Sequence, residues 1–486
     1  MLPELIPNWI DGREVPALDG GRFTKLRPAD GRLLCEVARS RAADVAAAVA
    51  AARVAQPAWA SIPPVQRGLL LHRMVVRMEQ RREEIAQIVA AETGKAPKEA
   101  LGEVGGAIQC GLFYASEGQR LYGRTTTSGM PNKYAMTVRM PIGVAGLIIA
   151  ANTPIANVAW KIFPALICGN AAVLKNAEDT PGTAWIVGQI AQECGLPAGV
   201  LNIIQGYGEE AGAPLVAHPD VGVISFTGST EVGRIIQRVA GERFCRVSLE
   251  LGGKNALVVC DDADLEHAAK WVLLSAFSNA GQRCAAASRV IVFDAVYEPF
   301  RALLLEKIAC LRVGPGDEHD FGPVINASQL QAMLAAVEAA RAEGATVLAG
   351  GRRLDDPEHR DGFYMAPTLI EGVDPDAELS RCELFGPITT LYRAPDFAAA
   401  LALANRSPYG LTAAIHTRSI HRAVRFCEQV QAGVAVVNAG TYGSEPHMPF
   451  GGVRQSGNGT REPGTEALDV YSELKDVYIN IDPAQL

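Results

Sequence analysis

No stretch of this 486-residue chain is long enough and apolar enough to span a bilayer as a helix. The longest apolar run, Gly143 to Ala151, falls well short of the about 20 residues required. No block of lysine and arginine occurs, and a formal charge of −8 argues against a nucleic-acid surface. The ten cysteines stand singly, with no Cys-x-x-Cys and no histidine at metal-ligand spacing. That pattern reads as reduced thiols in a cytoplasm, not as a disulfide framework or a zinc site. The N-terminus, Met1 to Trp9, has neither a basic stretch nor a signal-like apolar core. The expectation is a cytoplasmic protein with no membrane, nucleic acid or metal among its partners.

What is present is ordinary globular composition, 48% apolar and 20% charged, in a chain long enough for two or three domains. Residues 41–59 have helical spacing, and 65–91 read as one long amphipathic helix with Pro64 in its first turn and Gly94 just past its end. From 140 to 260 short apolar runs alternate with helical stretches. Val144–Ala150, Ala172–Leu174, Leu201–Ile204 and Val221–Phe226 read as strands, with 182–194 and 231–240 as helices between them. Such alternation predicts a parallel, doubly wound sheet. A second alternating region spans about 255–440, with helices near 263–278, 295–310, 327–343, 397–404 and 419–431. The tail Val470–Ile481 has strand character and suits an arm that pairs beyond its own domain.

Two residues carry unusual surroundings. Cys284 follows Gly281-Gln-Arg and precedes a small-residue run, Ala285 to Ala287, expected to open a helix whose N-terminus would lower the thiol pKa. Glu250, 34 positions earlier (284 − 250), ends an apolar run just before Gly252 and Gly253, a setting that leaves a carboxylate free to swing as a base. Taken singly, each has a plainer reading: a lone cysteine is usually a small buried hydrophobe and a glutamate at a turn a cap. Arg283, beside the thiol, either depresses its pKa, faces an anionic substrate or pairs elsewhere.

Three segments are candidates for a nucleotide. Gly206-Tyr-Gly208-Glu-Glu-Ala-Gly212 is one residue too long for the dinucleotide fingerprint and carries two acids where a pyrophosphate would lie, so it fails. Phe226-Thr-Gly-Ser229, running into a helix through Gly233, offers free backbone N–H groups to an anion or a plain N-cap. Lys175 and Glu178, at the end of a strand, either flank a ribose or form a solvated turn.

Together these segments resemble the aldehyde dehydrogenase superfamily over nearly the whole chain. The matching pieces fall in the family's order: Glu92-Thr-Gly-Lys95, Pro141-Ile-Gly-Val144, Asn152-Thr-Pro154, Trp160-Lys161, Pro164 to Asn170, Lys175 to Pro181 and Phe226 to Ser229. They continue with Glu250-Leu-Gly-Gly253, Gly281 to Cys284, Glu383-Leu-Phe-Gly-Pro387 and Pro449-Phe-Gly-Gly452.

The resemblance implies an α/β fold with a Rossmann-like cofactor domain (1–120 and 141–251), a catalytic domain (252–451) and an oligomerisation arm (121–140 and 452–486). It implies Cys284 as nucleophile, Glu250 as general base and Asn152 as oxyanion donor. Lys175, Glu178, Phe226, Gly228, Ser229, Gly233, Leu251, Glu383 and Phe385 would serve the cofactor. NAD is expected over NADP, with a small-molecule aldehyde as substrate and a homodimer or homotetramer as assembly. The reaction implied is oxidation of an aldehyde, such as a semialdehyde or another polar one, through a thiohemiacetal and a thioester. The alternatives are an acylating enzyme that uses coenzyme A, against which Glu250 argues, and a catalytically silent relative. Two departures stand out: Ala150-Ala151-Asn152-Thr153-Pro154 replaces large aromatic walls by small groups, and Thr460 is an extra residue before Arg461-Glu462.

Overall fold

A computed structural model describes residues 2–485 of the chain. Its first large sheet has seven strands. Arg246–Glu250, Val221–Thr227, Val144–Ile148, Ala171–Lys175 and Leu201–Ile204 run in parallel, and Asn8–Ile10 and Arg13–Val15 extend them antiparallel. These five parallel strands are buried along nearly their whole length, as a sheet covered by helices on both faces requires. The chain winds outward from Val144–Ile148 in one direction through Ala171–Lys175 and Leu201–Ile204. It then returns to build Val221–Thr227 and Arg246–Glu250 on the other side. The order therefore reverses between Val144–Ile148 and Val221–Thr227, and the crevice beyond their C-terminal ends is where such sheets bind ligands.

A second seven-stranded sheet follows: Thr346–Ala349, Thr368–Glu371, Ile388–Ala394, Ala287–Phe293, Asn255–Val259, Thr412–His416 and Val434–Val437. It is parallel except for the Thr346–Ala349 edge. Only four residues separate the end of Glu250 in the first sheet from the start of Asn255 in the second. The C-terminal ends of one sheet thus meet the N-terminal ends of the other.

The expected helices form at Ala42–Ser61, Pro181–Glu193, Thr230–Gly241, Leu265–Phe277, Asp294–Ala309, Ala327–Ala342, Phe397–Asn405 and Ile420–Gln429. The stretch 65–91 is corrected to two helices, Pro64–Gln80 and Arg82–Thr93. No glycine or proline marks the break. Arg81 adopts φ −103° and ψ 18°, and its guanidinium pairs with Glu84 and with Glu193 at the end of a neighbouring helix. Gly94 closes the second helix in the left-handed conformation, φ 78°.

The tail strand Ser472–Asn480 pairs antiparallel with Lys133–Pro141 along its full length, and Thr125–Thr127 completes a three-stranded sheet. The residues between 452 and 471 do not belong to that arm. Leu468, Val470 and Tyr471 lie in the core of the first lobe. Buried Glu462 accepts from Lys161 Nζ at 2.9 Å, from Ser225 Oγ at 2.7 Å and from the Tyr471 hydroxyl at 3.1 Å. A buried charge is tolerable only when paired and hydrogen-bonded in this way, so this network fixes the C-terminal segment against the first sheet. Among the described residues no single helix is long and apolar enough to cross a membrane.

Candidate active site

A cavity of about 580 Å³ opens where the two sheets meet. Its walls include Asn152, Glu178, Gly228, Ser229, Glu250, Leu251, Cys284, Glu383 and Phe385. Three residues read from the sequence as cofactor ligands stand behind this wall. The Phe226 ring packs under Gly228, Gly233 packs on Leu251, and Lys175 is buried with its Nζ 3.0 Å from Glu178 Oε2.

Cys284 is not at a helix start. It sits on a turn that leads into the strand Ala287–Phe293, so no helix dipole acts on the thiol from this segment. The thiol pKa is instead pushed up to about 12, first by burial and then by Glu383 and Glu250. Before it, Asn279 and Ala280 both take left-handed φ near 53°, a strained path for residues with a Cβ. That path turns the carbonyl of Gln282 toward Asn152, whose Nδ2 donates to it at 3.1 Å. Asn255 ties the far side of the loop, donating to the carbonyls of Cys284 at 2.8 Å and Ala286 at 2.9 Å.

Glu250 ends its strand and bridges to Gly457. Both of its carboxylate oxygens are buried without a hydrogen-bond partner, and its pKa is raised well above the ordinary value, chiefly by burial and next by Glu462. A Cβ on Gly451 would lie 2.6 Å from Glu250 Oε1, so only glycine leaves the carboxylate room. Gly252 has a similar purpose, different from the swing inferred from sequence. A Cβ there would collide with Glu383 Oε2 at 1.9 Å, and its absence lets Glu383 accept from the Gly253 N–H at 3.0 Å. Burial raises the Glu383 pKa to about 7.

Toward the mouth, Ser229 Oγ caps the helix Thr230–Gly241 by accepting from Val232 N–H at 3.3 Å. The turn carrying Glu178 is held from below. Buried Glu92 accepts from the N–H groups of Gly182 and Thr183 at the start of the helix Pro181–Glu193. Asp179 bridges buried Lys25 at 3.2 Å and Asn326 at 2.9 Å.

Arg283 turns away from the cavity. It stands 3.5 Å from Glu99, donates to Ser278 Oγ and lies 5.0 Å above the Tyr442 ring. Of the alternatives open in the sequence, pairing elsewhere describes its position; its charge lowers the thiol pKa, but burial, Glu383 and Glu250 outweigh it. Sequence reasoning missed several wall residues. Trp160 and Phe450 face each other with ring centroids 5.5 Å apart, so aromatic walls remain beside the small Ala150 and Ala151. Thr153 and buried Asn157 make that side polar. The signal was present in Trp160-Lys161 and Pro449-Phe450, which lie far apart in the chain. Thr460, the extra residue, hydrogen-bonds Ser248 Oγ at 3.0 Å on the strand that leads to Glu250.

A model of the aldehyde dehydrogenase family matches residues 16–477. The chain belongs to the aldehyde dehydrogenase family. It is 38% identical to the alpha-ketoglutaric semialdehyde dehydrogenase of Bacillus subtilis, over 97% of each chain. It is 39% identical to the alpha-ketoglutarate semialdehyde dehydrogenase of Haloferax volcanii, over 97% of this chain and 98% of that one. Among solved structures, betaine aldehyde dehydrogenase from Staphylococcus aureus in complex with NAD+ superposes with a TM-score of 0.96 at 30% identity, covering 98% of this chain and 95% of that one.

The electrostatics of this aldehyde dehydrogenase site give a direct test. With a thiol pKa near 12, only a minute thiolate fraction exists at neutral pH in the cofactor-free protein. Alkylation of Cys284 by iodoacetamide, followed by peptide mass spectrometry, is expected to accelerate about tenfold per pH unit from pH 7 to pH 10. A plateau below pH 8 would show that the thiol is acidic after all.

Proposed function

We propose that this protein oxidises a polar aldehyde, of the semialdehyde type, to the carboxylic acid with NAD as hydride acceptor. The observation that carries the proposal is the convergence of Cys284, Asn152, Glu250 and Glu383 on one cavity in which Glu250 has no partner of its own. The semialdehyde class is supported by the substrates for which the Bacillus and Haloferax relatives are named and by the polar wall at Thr153 and Asn157.

The cavity suits a dinucleotide. The N-terminus of the 12-residue helix capped by Ser229 would face a pyrophosphate with its first N–H groups, beside Gly228, whose own N–H donates to the Glu250 carbonyl at 3.1 Å. Glu178 at the mouth would accept from the adenosine ribose, with Lys175 behind it. Glu383 would accept from the nicotinamide ribose, and Leu251 and Phe385 would flank the ring. When bound, NAD supplies a carbon that accepts hydride.

The remaining chemistry falls to the chain's own side chains. Cys284 gives its proton to solvent water, and its sulfur bonds to the aldehyde carbon as the C=O electron pair moves onto oxygen. Asn152 Nδ2 and the Cys284 N–H face the oxyanion that results, and each such donor contributes about 3–4 kcal/mol to the transition state. Loss of hydride leaves a thioester on Cys284. Glu250 then takes a proton from water, which adds to the thioester carbon and expels the thiolate. Burial, and next Glu462, raise the proton affinity of the Glu250 carboxylate, which makes it a stronger base toward water than an exposed carboxylate. Glu250 also favours water over coenzyme A as acyl acceptor.

Cys284→Ala should abolish turnover, and a variant keeping a tenth of wild-type rate would remove Cys284 from the nucleophile's place. In Glu250→Gln, stopped-flow absorbance should show a burst of about one NADH per site followed by slow turnover as the thioester accumulates. Equal loss of burst and steady rate would move Glu250 to an earlier step.

NAD is expected over NADP. A 2′-phosphate carries about −1.5 to −2 charges, and two unit charges about 4 Å apart repel by roughly 4 kcal/mol at an effective dielectric of about 20. Glu178 is 45% exposed and held by Lys175, so solvent and the lysine screen much of this. The kcat/KM ratio should favour NAD by about tenfold or more, corresponding to about 1.4 kcal/mol. Glu178→Thr should narrow it, and an unchanged ratio would acquit Glu178.

The arm exposes Leu474, Tyr478, Ile479 and Tyr134 on a sheet with free edges, a surface suited to a second copy of the chain. Light scattering should report a homodimer or homotetramer. A monomeric mass at micromolar concentration would contradict this.

A further inference from the structure

The lysine of Glu92-Thr-Gly-Lys95 is almost entirely buried, and so is its partner Glu103, with side-chain exposures of 3% and 7%. Lys95 Nζ forms an ion pair with Glu103 Oε2 and donates to the backbone carbonyl of Asn152 at 2.9 Å. The other Glu103 oxygen, Oε1, accepts from the N–H of Ile155 at 2.9 Å and from that of Ala156 at 3.4 Å. These are the first N–H groups of the helix Pro154–Ile167. Thr153, at its N-cap, makes no side-chain cap bond, and Pro154 has no N–H to offer. The cap therefore comes from a different helix. Asn279 Nδ2 is a second donor to the Asn152 carbonyl, at 3.2 Å.

The pair holds the backbone on both sides of the Asn152–Thr153 junction, one end by its carbonyl and the other by its N–H groups. Stability alone is a weak reason to keep such a pair, because buried ion pairs gain little over apolar residues of the same volume. Placement is a stronger one, since a displacement of about 1 Å in a catalytic group can cost about 100-fold in rate.

We propose that Lys95 and Glu103 are positioning residues that hold Asn152 where its side-chain amide meets the oxyanion formed on Cys284. The proposal rests on the reading of Asn152 as the oxyanion donor.

Acylation of Cys284 by p-nitrophenyl acetate tests it without any cofactor. The thiolate adds to the ester carbon, a C–S bond forms, the aryl C–O bond breaks and p-nitrophenolate leaves. The oxyanion of the tetrahedral adduct needs the same donor. Release of p-nitrophenolate is followed in a single turnover at fixed pH, with acetyl-Cys284 identified by mass spectrometry. Asn152→Ala should slow acylation by about 100-fold or more. Lys95→Met should slow it by about 10- to 100-fold. In the Asn152→Ala background, Lys95→Met should cost no more than about threefold further, because residues that act through one another are not additive. Lys95→Met/Glu103→Gln, which leaves no stranded charge, keeps the test available if the single variant folds poorly and should match its loss.

Wild-type acylation in both Lys95 variants would overturn the proposal. So would an equal Lys95→Met loss with and without Asn152, the mark of a merely structural role. Wild-type acylation in Asn152→Ala would instead contradict the assignment of Asn152 itself.

Discussion

The constraint on which the site depends is the abutment of two parallel sheets, the C-terminal ends of one against the N-terminal ends of the other. Glu250 closes a strand of the first and Asn255 opens a strand of the second, with only the turn Leu251 to Lys254 between them. Gly252 makes that turn narrow enough for Glu383 to reach in from a third segment, and Gly253 leaves room for Asn255 and the Cys284 carbonyl. Asn255 then secures the Cys284 loop through two carbonyls, and the Asn152 amide secures it through a third. Residues from positions 152, 250, 284 and 383 share one cavity because the strands that carry them end at one junction.

That junction is electrostatically unfavourable at rest. Glu250 is buried and Glu383 half-buried near a half-buried thiol, and the thiol and both carboxylates are pushed toward their neutral forms. Burial is the largest cause in each case, so the cost lies in removing charge from water more than in mutual repulsion. Such a site keeps its nucleophile protonated until proton transfer is possible. Perturbed titration concentrated at one cavity is a mark of a functional centre, and here it coincides with an unpartnered carboxylate.

Much of this was legible in the sequence. The alternation of apolar runs predicted the parallel sheets, because strands buried on both faces have nowhere to place polar residues. Pro64 and Gly94 marked helix ends through backbone restrictions that act locally. The residues that escaped were those whose meaning is spatial. Nothing local to Arg81 shows that Glu193 will draw it out of a helix. The helix expected after Cys284 failed because Ala285 to Ala287 has good helix propensity, but Ala287 already opens a strand held between Asn255–Val259 and Ile388–Ala394. Lys175, Phe226 and Gly233 belong to the right motifs but stand one layer behind the wall. Trp160 and Phe450, 290 positions apart (450 − 160), show their contact only in the folded chain.

In the proposed mechanism the aldehyde carbon becomes covalently bound to Cys284 during turnover. Rapid acid quench of the wild-type enzyme mixed with NAD and a reactive aldehyde, followed by peptide mass spectrometry, tests it most directly. The expected result is an acyl mass shift on the peptide carrying Cys284 and on no other cysteine peptide. Turnover with that peptide unmodified at every quench time, or with the acyl group on a different residue, would contradict it.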